Sequence, residues 1–153
     1  MRLYSNGKNV YSVDMMLAYV NINKPKAVMI PVEEFTHVLD YPGWSGADGA
    51  NYSARDVLDK PRKYPAESRR IREANLTYAI LIHKQGKHMH VVDGVHRITK
   101  AYLTKRVNIK CIVLTNEEMK KFKLSGDGDW RAVEERFKKE GIHALIEQFV
   151  KKM

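Results

Sequence analysis

The run Val91-Val92-Asp93-Gly94-Val95-His96-Arg97-Ile98-Thr99-Lys100 changes its periodicity at Gly94. Before the glycine the chain reads as the end of a strand. After it, Val95, Ile98, Ala101 and Tyr102 recur at helical spacing as far as Lys105. Glycine permits the tight turn between the two. Upstream, Leu76 to His83 (LTYAILIH) is a strongly apolar strand, and Lys87 to Val92 (KHMHVV) follows across Gln85-Gly86, so the pair predicts a hairpin. Downstream, Val107 to Leu114 (VNIKCIVL) reads as the next strand. This order predicts a mixed sheet, with the helix from Val95 packed on one face through Ile98, Ala101 and Tyr102.

The flanks extend the pattern. Ser12 is a helix N-cap, followed by Val13, Met16, Leu17 and Val20, and that helix ends before Pro25. Lys26 to Val32 reads as a strand, Glu33 to Leu39 as a short helix or turn, and Tyr41 to Tyr52 (YPGWSGADGANY) as a loop. Pro65 suits a helix N1 position, and the helix to Ala74 turns Ile71 and Ala74 inward and Arg69, Arg70 and Arg72 outward. Beyond Leu114, a helix covers Glu117 to Phe122 and a break falls at Gly126-Asp127-Gly128. Two amphipathic segments then carry Trp130, Val133 and Phe137, and Ile142, Leu145, Ile146 and Phe149. The expectation is an α+β fold: a domain over residues 1–115 with an N-terminal helix, and C-terminal helices over 116–153 packed on it.

A chain of 153 residues buries enough surface to need no staple, and its one cysteine excludes a disulfide framework. The start, MRLYSNGKNVYS, has no apolar signal region and no later run approaches a membrane span, so a soluble intracellular protein is expected, in cytoplasm or nucleus. The net charge is +9, and Arg55 to Lys110, with fourteen basic and five acidic residues, carries all of it. Such a field favours phosphate-bearing partners, although it also serves solubility alone.

At the turn itself, backbone N–H groups at a helix start lack internal partners and carry partial positive charge. Arg97 adds a planar fork suited to bidentate phosphate contact. As a surface guanidinium it is expected to contribute little to stability. The alternative is a capped helix whose Asp93 accepts backbone bonds while His96 and Arg97 face solvent.

The stretch from Asp56 to Leu114 resembles the ParB/sulfiredoxin fold superfamily in its element order and in Gly94-Val95-His96-Arg97. Partition ParB proteins carry Gly-Glu-Arg-Arg there, sulfiredoxins Gly-Cys-His-Arg, and free serine kinases Asp-Gly-His-His-Arg, to which Asp93-Gly94-Val95-His96-Arg97 is closer still. Asp59-Lys60-Pro61-Arg62-Lys63 resembles the segment before the first conserved ParB helix, and the layout is similar to that of ParB-like proteins of large DNA viruses. The resemblance implies nucleotide phosphates (CTP, ATP or ADP, with Mg²⁺) on Gly94, His96 and Arg97, with Arg62 and Lys63 adding contacts. It implies Asp93 as base or Mg²⁺ ligand in a kinase, with Glu67 as a second candidate. Valine at 95 lacks the sulfiredoxin nucleophile, and the residues after 115 leave no room for the partition machinery.

Three readings follow: a nucleotide-binding regulatory or nucleic-acid-associated protein, a small-molecule phosphotransferase, and a virion or host-interaction protein that keeps the fold without turnover. The first adds Arg69, Arg70 and Arg72 as contacts to a nucleic-acid backbone and allows a homodimer, with no membrane partner. His83, His88 and His90 read as exposed strand histidines rather than a zinc site, Cys111 as core, and Asp127 or Asp129 as a helix cap rather than a calcium loop. Trp44 is expected to plug the core, with base stacking as the alternative.

Overall fold

A computed structural model describes residues 2–125 and 130–141, together with 147 and 151. The expected break at Gly126-Asp127-Gly128, the caps at Asp127 and Asp129, the Trp130 side chain, and Ile142, Leu145, Ile146 and Phe149 lie outside the described residues. In chain order the elements begin with β1 (Leu3–Ser5), β2 (Val10–Ser12), α1 (Val13–Asn23), β3 (Val28–Pro31) and a 3₁₀ helix (Val32–Asp40). Next come β4 (Trp44–Ser45), β5 (Asn51–Tyr52), α2 (Ala54–Asp59) and α3 (Pro65–Glu73). Then follow β6 (Ile80–Gln85), β7 (His88–Asp93), α4 (Val95–Leu103), β8 (Asn108–Leu114), and α5 (Asn116–Met119) with a 3₁₀ turn (Lys120–Phe122). The described elements close with β9 (Lys123–Ser125) and α6 (Trp130–Glu140). The fold is α+β, with sheets of order β1-β2-β9, β3-β8-β6-β7 and β4-β5. The chain divides into two compact units, Met1–Lys26 with His83–Val92 and Leu114–Met153, and Ala27–Ile82 with Asp93–Val113.

In the first unit, Ser12 ends β2 and caps α1, its hydroxyl accepting the Met15 N–H at 3.1 Å. Val10, Tyr11, Met15, Met16, Met119, Phe122 and Leu124 form its core. His83 is fully buried here, not exposed as the strand pattern suggested. Its Nε2 lies 2.7 Å from Asn116 Oδ1, and its Nδ1 lies 3.2 Å from the Tyr4 hydroxyl. A carboxamide oxygen only accepts, so Nε2 carries the proton and Tyr4 donates to Nδ1. Both nitrogens of the neutral ring are therefore satisfied. Burial pulls the His83 pKa below the ordinary imidazole range, and the Asn116 bond opposes this in part.

In the second unit, β3 pairs antiparallel with β8, from Val28↔Cys111 to Pro31↔Asn108. The following 3₁₀ helix buries Val32, Phe35 and Leu39, and α4 packs on it and on α3. A capping box starts α2: Ser53 accepts the Asp56 N–H, and the Asp56 carboxylate accepts the Ser53 N–H at 2.8 Å. These Ser53 bonds hold the Asp56 carboxyl below the usual range.

Four expectations are corrected. The strand expected from Leu76 begins at Ile80, because Asn75 Oδ1 accepts the Thr77 N–H and hydroxyl at 3.0 and 2.6 Å and closes a turn. The Tyr41 to Tyr52 loop contains the β4–β5 hairpin, registered Trp44↔Tyr52. Tyr102 is 40% exposed, and Thr99 takes the inward place beside Ile98 and Ala101. Ser68 rather than Ala74 joins Ile71 on the buried side of α3.

His83 makes stability pH-dependent with a definite sign. A depressed native pKa means that the unfolded chain binds more protons below about pH 6.5, so this contribution holds above that pH and is lost as pH falls. Acidification to about pH 5 should lower the unfolding midpoint, less steeply in His83→Gln. A side-chain NMR titration checks the same point, with the His83 ring still neutral where exposed imidazoles have protonated.

Candidate functional site

Gly94 joins β7 to α4 with φ 127°, a conformation that L side chains rarely adopt. It is also buried, and a Cβ there would lie 2.7 Å from the Ile80 Cβ. The glycine is needed twice, for the turn and for the close approach to β6. No side chain caps α4, and the first helical bond runs from Ile98 N–H to Gly94 O at 2.9 Å. The amides of Val95, His96 and Arg97 therefore precede the helical ladder.

Arg97 is not a free surface guanidinium, contrary to expectation. Its Nη1 donates to Ala79 O at 2.7 Å and its Nη2 to Asp93 Oδ2 at 3.0 Å, with the two side chains only 18% and 15% exposed. These bonds fix the plane of the fork while using two of its five N–H donors. Asp93 orients Arg97 across one helical turn. The candidate base is thus engaged in positioning a cation.

The second candidate acid, Glu67, is joined to His96. Its Oε2 lies 2.6 Å from His96 Nε2, and its Oε1 accepts from Arg70 Nη1 at 3.3 Å. With Nε2–H donating to the carboxylate, a neutral His96 keeps Nδ1 as an acceptor. Trp44 stacks on the imidazole, centroids 4.8 Å apart at 21°, and continues through Tyr52 to Tyr64, the last two stacked at 4.2 Å. Trp44 is half-buried and rigidifies His96 rather than plugging the core.

His96, Arg97 and Arg70 border a cleft of about 320 Å³, which Tyr78 and residues 73–75 also line. Arg62 and Lys63 lie on an exposed turn and do not line it; Lys63 sits 5.5 Å over the Tyr64 ring. Arg69 and Arg72 are exposed as expected, Arg72 bonding Ser68 Oγ at 3.0 Å. The structure therefore gathers Asp93, Gly94, His96, Arg97, Glu67 and Arg70, and leaves Arg62, Lys63, Arg69 and Arg72 outside the cleft. Sequence reasoning missed the Glu67–His96 pair and the place of Tyr78. Partners so far apart in the chain leave no spacing signal.

Among the described residues no group of three or more His, Cys, Asp or Glu side chains could hold a metal ion. Among them, too, no helix is long and apolar enough to cross a membrane. Cys111 is buried, and burial pushes its thiol up to about 12, so it is inert as a nucleophile.

Two measurements check this geometry. Gly94→Ala should destabilise the protein by about 2 kcal/mol or more in denaturant titration, from backbone strain and the Ile80 collision together. The Cys111 thiol should resist a disulfide reagent in the native state and react fully on unfolding. No protein-family model, no curated protein and no solved structure matches this chain.

Proposed function

We propose that the chain is a ParB-like, ParB/sulfiredoxin-fold protein that binds a nucleotide through its phosphates at Asp93-Gly94-Val95-His96-Arg97, in a regulatory or nucleic-acid-associated role. One observation carries the reading: a guanidinium held in a fixed plane by Asp93 and Ala79 O borders a cleft at the uncapped start of α4. Fixed N–H donors, a helix start and a planar cation are what a phosphate group requires. Arg70 adds donors from the same cleft. Mg²⁺ would arrive on the nucleotide, ligated mainly by its phosphates. The exposed Arg69 and Arg72 support weak, salt-dependent contact with a nucleic-acid backbone.

The Glu67–His96 pair favours a second reading, a small-molecule phosphotransferase. A carboxylate-oriented imidazole with an acceptor nitrogen is equipped to take a proton from an attacking hydroxyl. In that reading Arg97 would clamp the transferred group and Asp93 would position Arg97.

A panel of ATP, ADP and CTP, with and without Mg²⁺, tests the first reading. Ligand at a hundred times its Kd should add about 2.7 kcal/mol of stability, and no shift with any nucleotide would refute it. Arg97→Lys should weaken affinity about ten- to a hundredfold, because the ammonium keeps the charge but not the fork. Arg97→Ala should also cost about 1–3 kcal/mol of stability, since it strips Ala79 O and Asp93 of their partner. If the second reading holds, Glu67→Gln should abolish phosphate transfer while nucleotide affinity stays within about threefold.

A further inference from the structure

The turn between α3 and β6 is ringed by cations that main-chain carbonyls hold. Lys100 Nζ donates to Ala74 O at 2.7 Å, Lys110 Nζ to Thr77 O at 3.3 Å and Arg97 Nη1 to Ala79 O at 2.7 Å. A carbonyl orients a cation without cancelling its charge. A second cavity, of about 450 Å³, opens on this turn and takes in Lys100 and Arg106. It shares residues 73–75 with the cleft at Arg97. The two cavities together face four basic side chains, Arg70, Arg97, Lys100 and Arg106, and one carboxylate, Glu73, while Glu67 pairs with Arg70 and Asp93 with Arg97 from outside the lining.

A mononucleotide bound through Arg97 accounts for the first cavity and leaves the second basic cavity without an anion. Lys100 follows Arg97 by one turn of α4, which separates the two positions by about 5–6 Å. Tyr78, 68% exposed, lines the cleft at Arg97 and offers a stacking face. A charged track beside an exposed ring fits a strand whose bases are free to leave the stack. Bases inside a duplex are stacked on one another and cannot reach such a ring.

We propose that the ligand of this site is a single-stranded polynucleotide lying along the turn between α3 and β6. One phosphate sits at Arg97 and the first amides of α4, the following ones sit at Lys100 and Arg106, and a base stacks on Tyr78. The assignment rests on the phosphate reading of Arg97 and names the chemical class that fills the rest of the site.

The test is fluorescence anisotropy with fluorescein-labelled oligothymidylates of about two, four and eight nucleotides, beside a fluorescent ATP analogue. Affinity should rise about tenfold or more from dinucleotide to octamer and fall steeply with salt. Arg106→Ala and Tyr78→Ala, both at exposed positions, should each weaken octamer binding about tenfold. Arg106→Ala should leave binding of the ATP analogue unchanged. Equal affinity at every length, folded variants that bind the octamer like wild type, or duplex competing as well as single strand would each overturn the proposal. If the analogue binds in an Arg97-dependent way and the octamer binds no tighter, the polynucleotide assignment fails and the nucleotide reading stands. If the octamer binds through Arg106 and the analogue does not bind, the nucleotide reading fails and the polynucleotide track is supported.

Discussion

The contact of Ile80 with the bare α-carbon of Gly94 is the constraint on which the candidate site depends. Ile80 is fully buried at the first position of β6, and its side chain occupies the volume a Cβ at residue 94 would need. That approach brings the first turn of α4 onto the start of β6. The carbonyl just before β6, Ala79 O, thereby comes within 2.7 Å of Arg97 Nη1. Asp93, the last residue of β7, falls one helical turn before Arg97 and takes its other nitrogen at 3.0 Å. A side chain at 94 would push the helix start away from Ile80, and the guanidinium would lose its carbonyl before losing its carboxylate.

The two candidate acids restrain cations or imidazole: Asp93 holds Arg97, and Glu67 spans His96 and Arg70. The Glu67–His96 bond also ties α3 to α4, and Trp44 clamps the opposite face of that arrangement from the β4–β5 hairpin. The hairpin would otherwise be a glycine-rich excursion with little to order it. Its stacking on Tyr64 and His96 makes it part of the wall that orients the site. Exposed pairs elsewhere, such as Lys120–Glu117, contribute little by comparison because water screens them.

Much of this was legible in the chain, and the failures have physical causes. The switch from strand to helix at Gly94, the Ser12 cap and the Pro65 start are local signals, each backed by a named backbone requirement. Leu76 to Ala79 has strong strand propensity, yet one Asn75 side chain closing a turn outweighed it. Tyr102 sits at a helical repeat from Ile98, but its ring lies 5.5 Å beneath Arg55 in solvent, a use no periodicity reveals. Strands β1, β2 and β9 are three residues each, too short to show alternation. The site residues on the motif itself were readable. Glu67 and Arg70 on α3 were also named from the sequence, but their partners and the place of Tyr78 were set by packing.

Valine at position 95 decides what chemistry remains available. It enters the first turn of α4, its carbonyl accepting the Thr99 hydroxyl at 2.7 Å, and its side chain is no nucleophile. The single cysteine cannot substitute, because Cys111 is buried in β8 with its thiol pushed up to about 12. What the turn retains is a fixed cation, an uncapped helix start and an imidazole held by a carboxylate. A fixed cation and a helix start are suited to an anion, and an imidazole held through one nitrogen is suited to proton transfer.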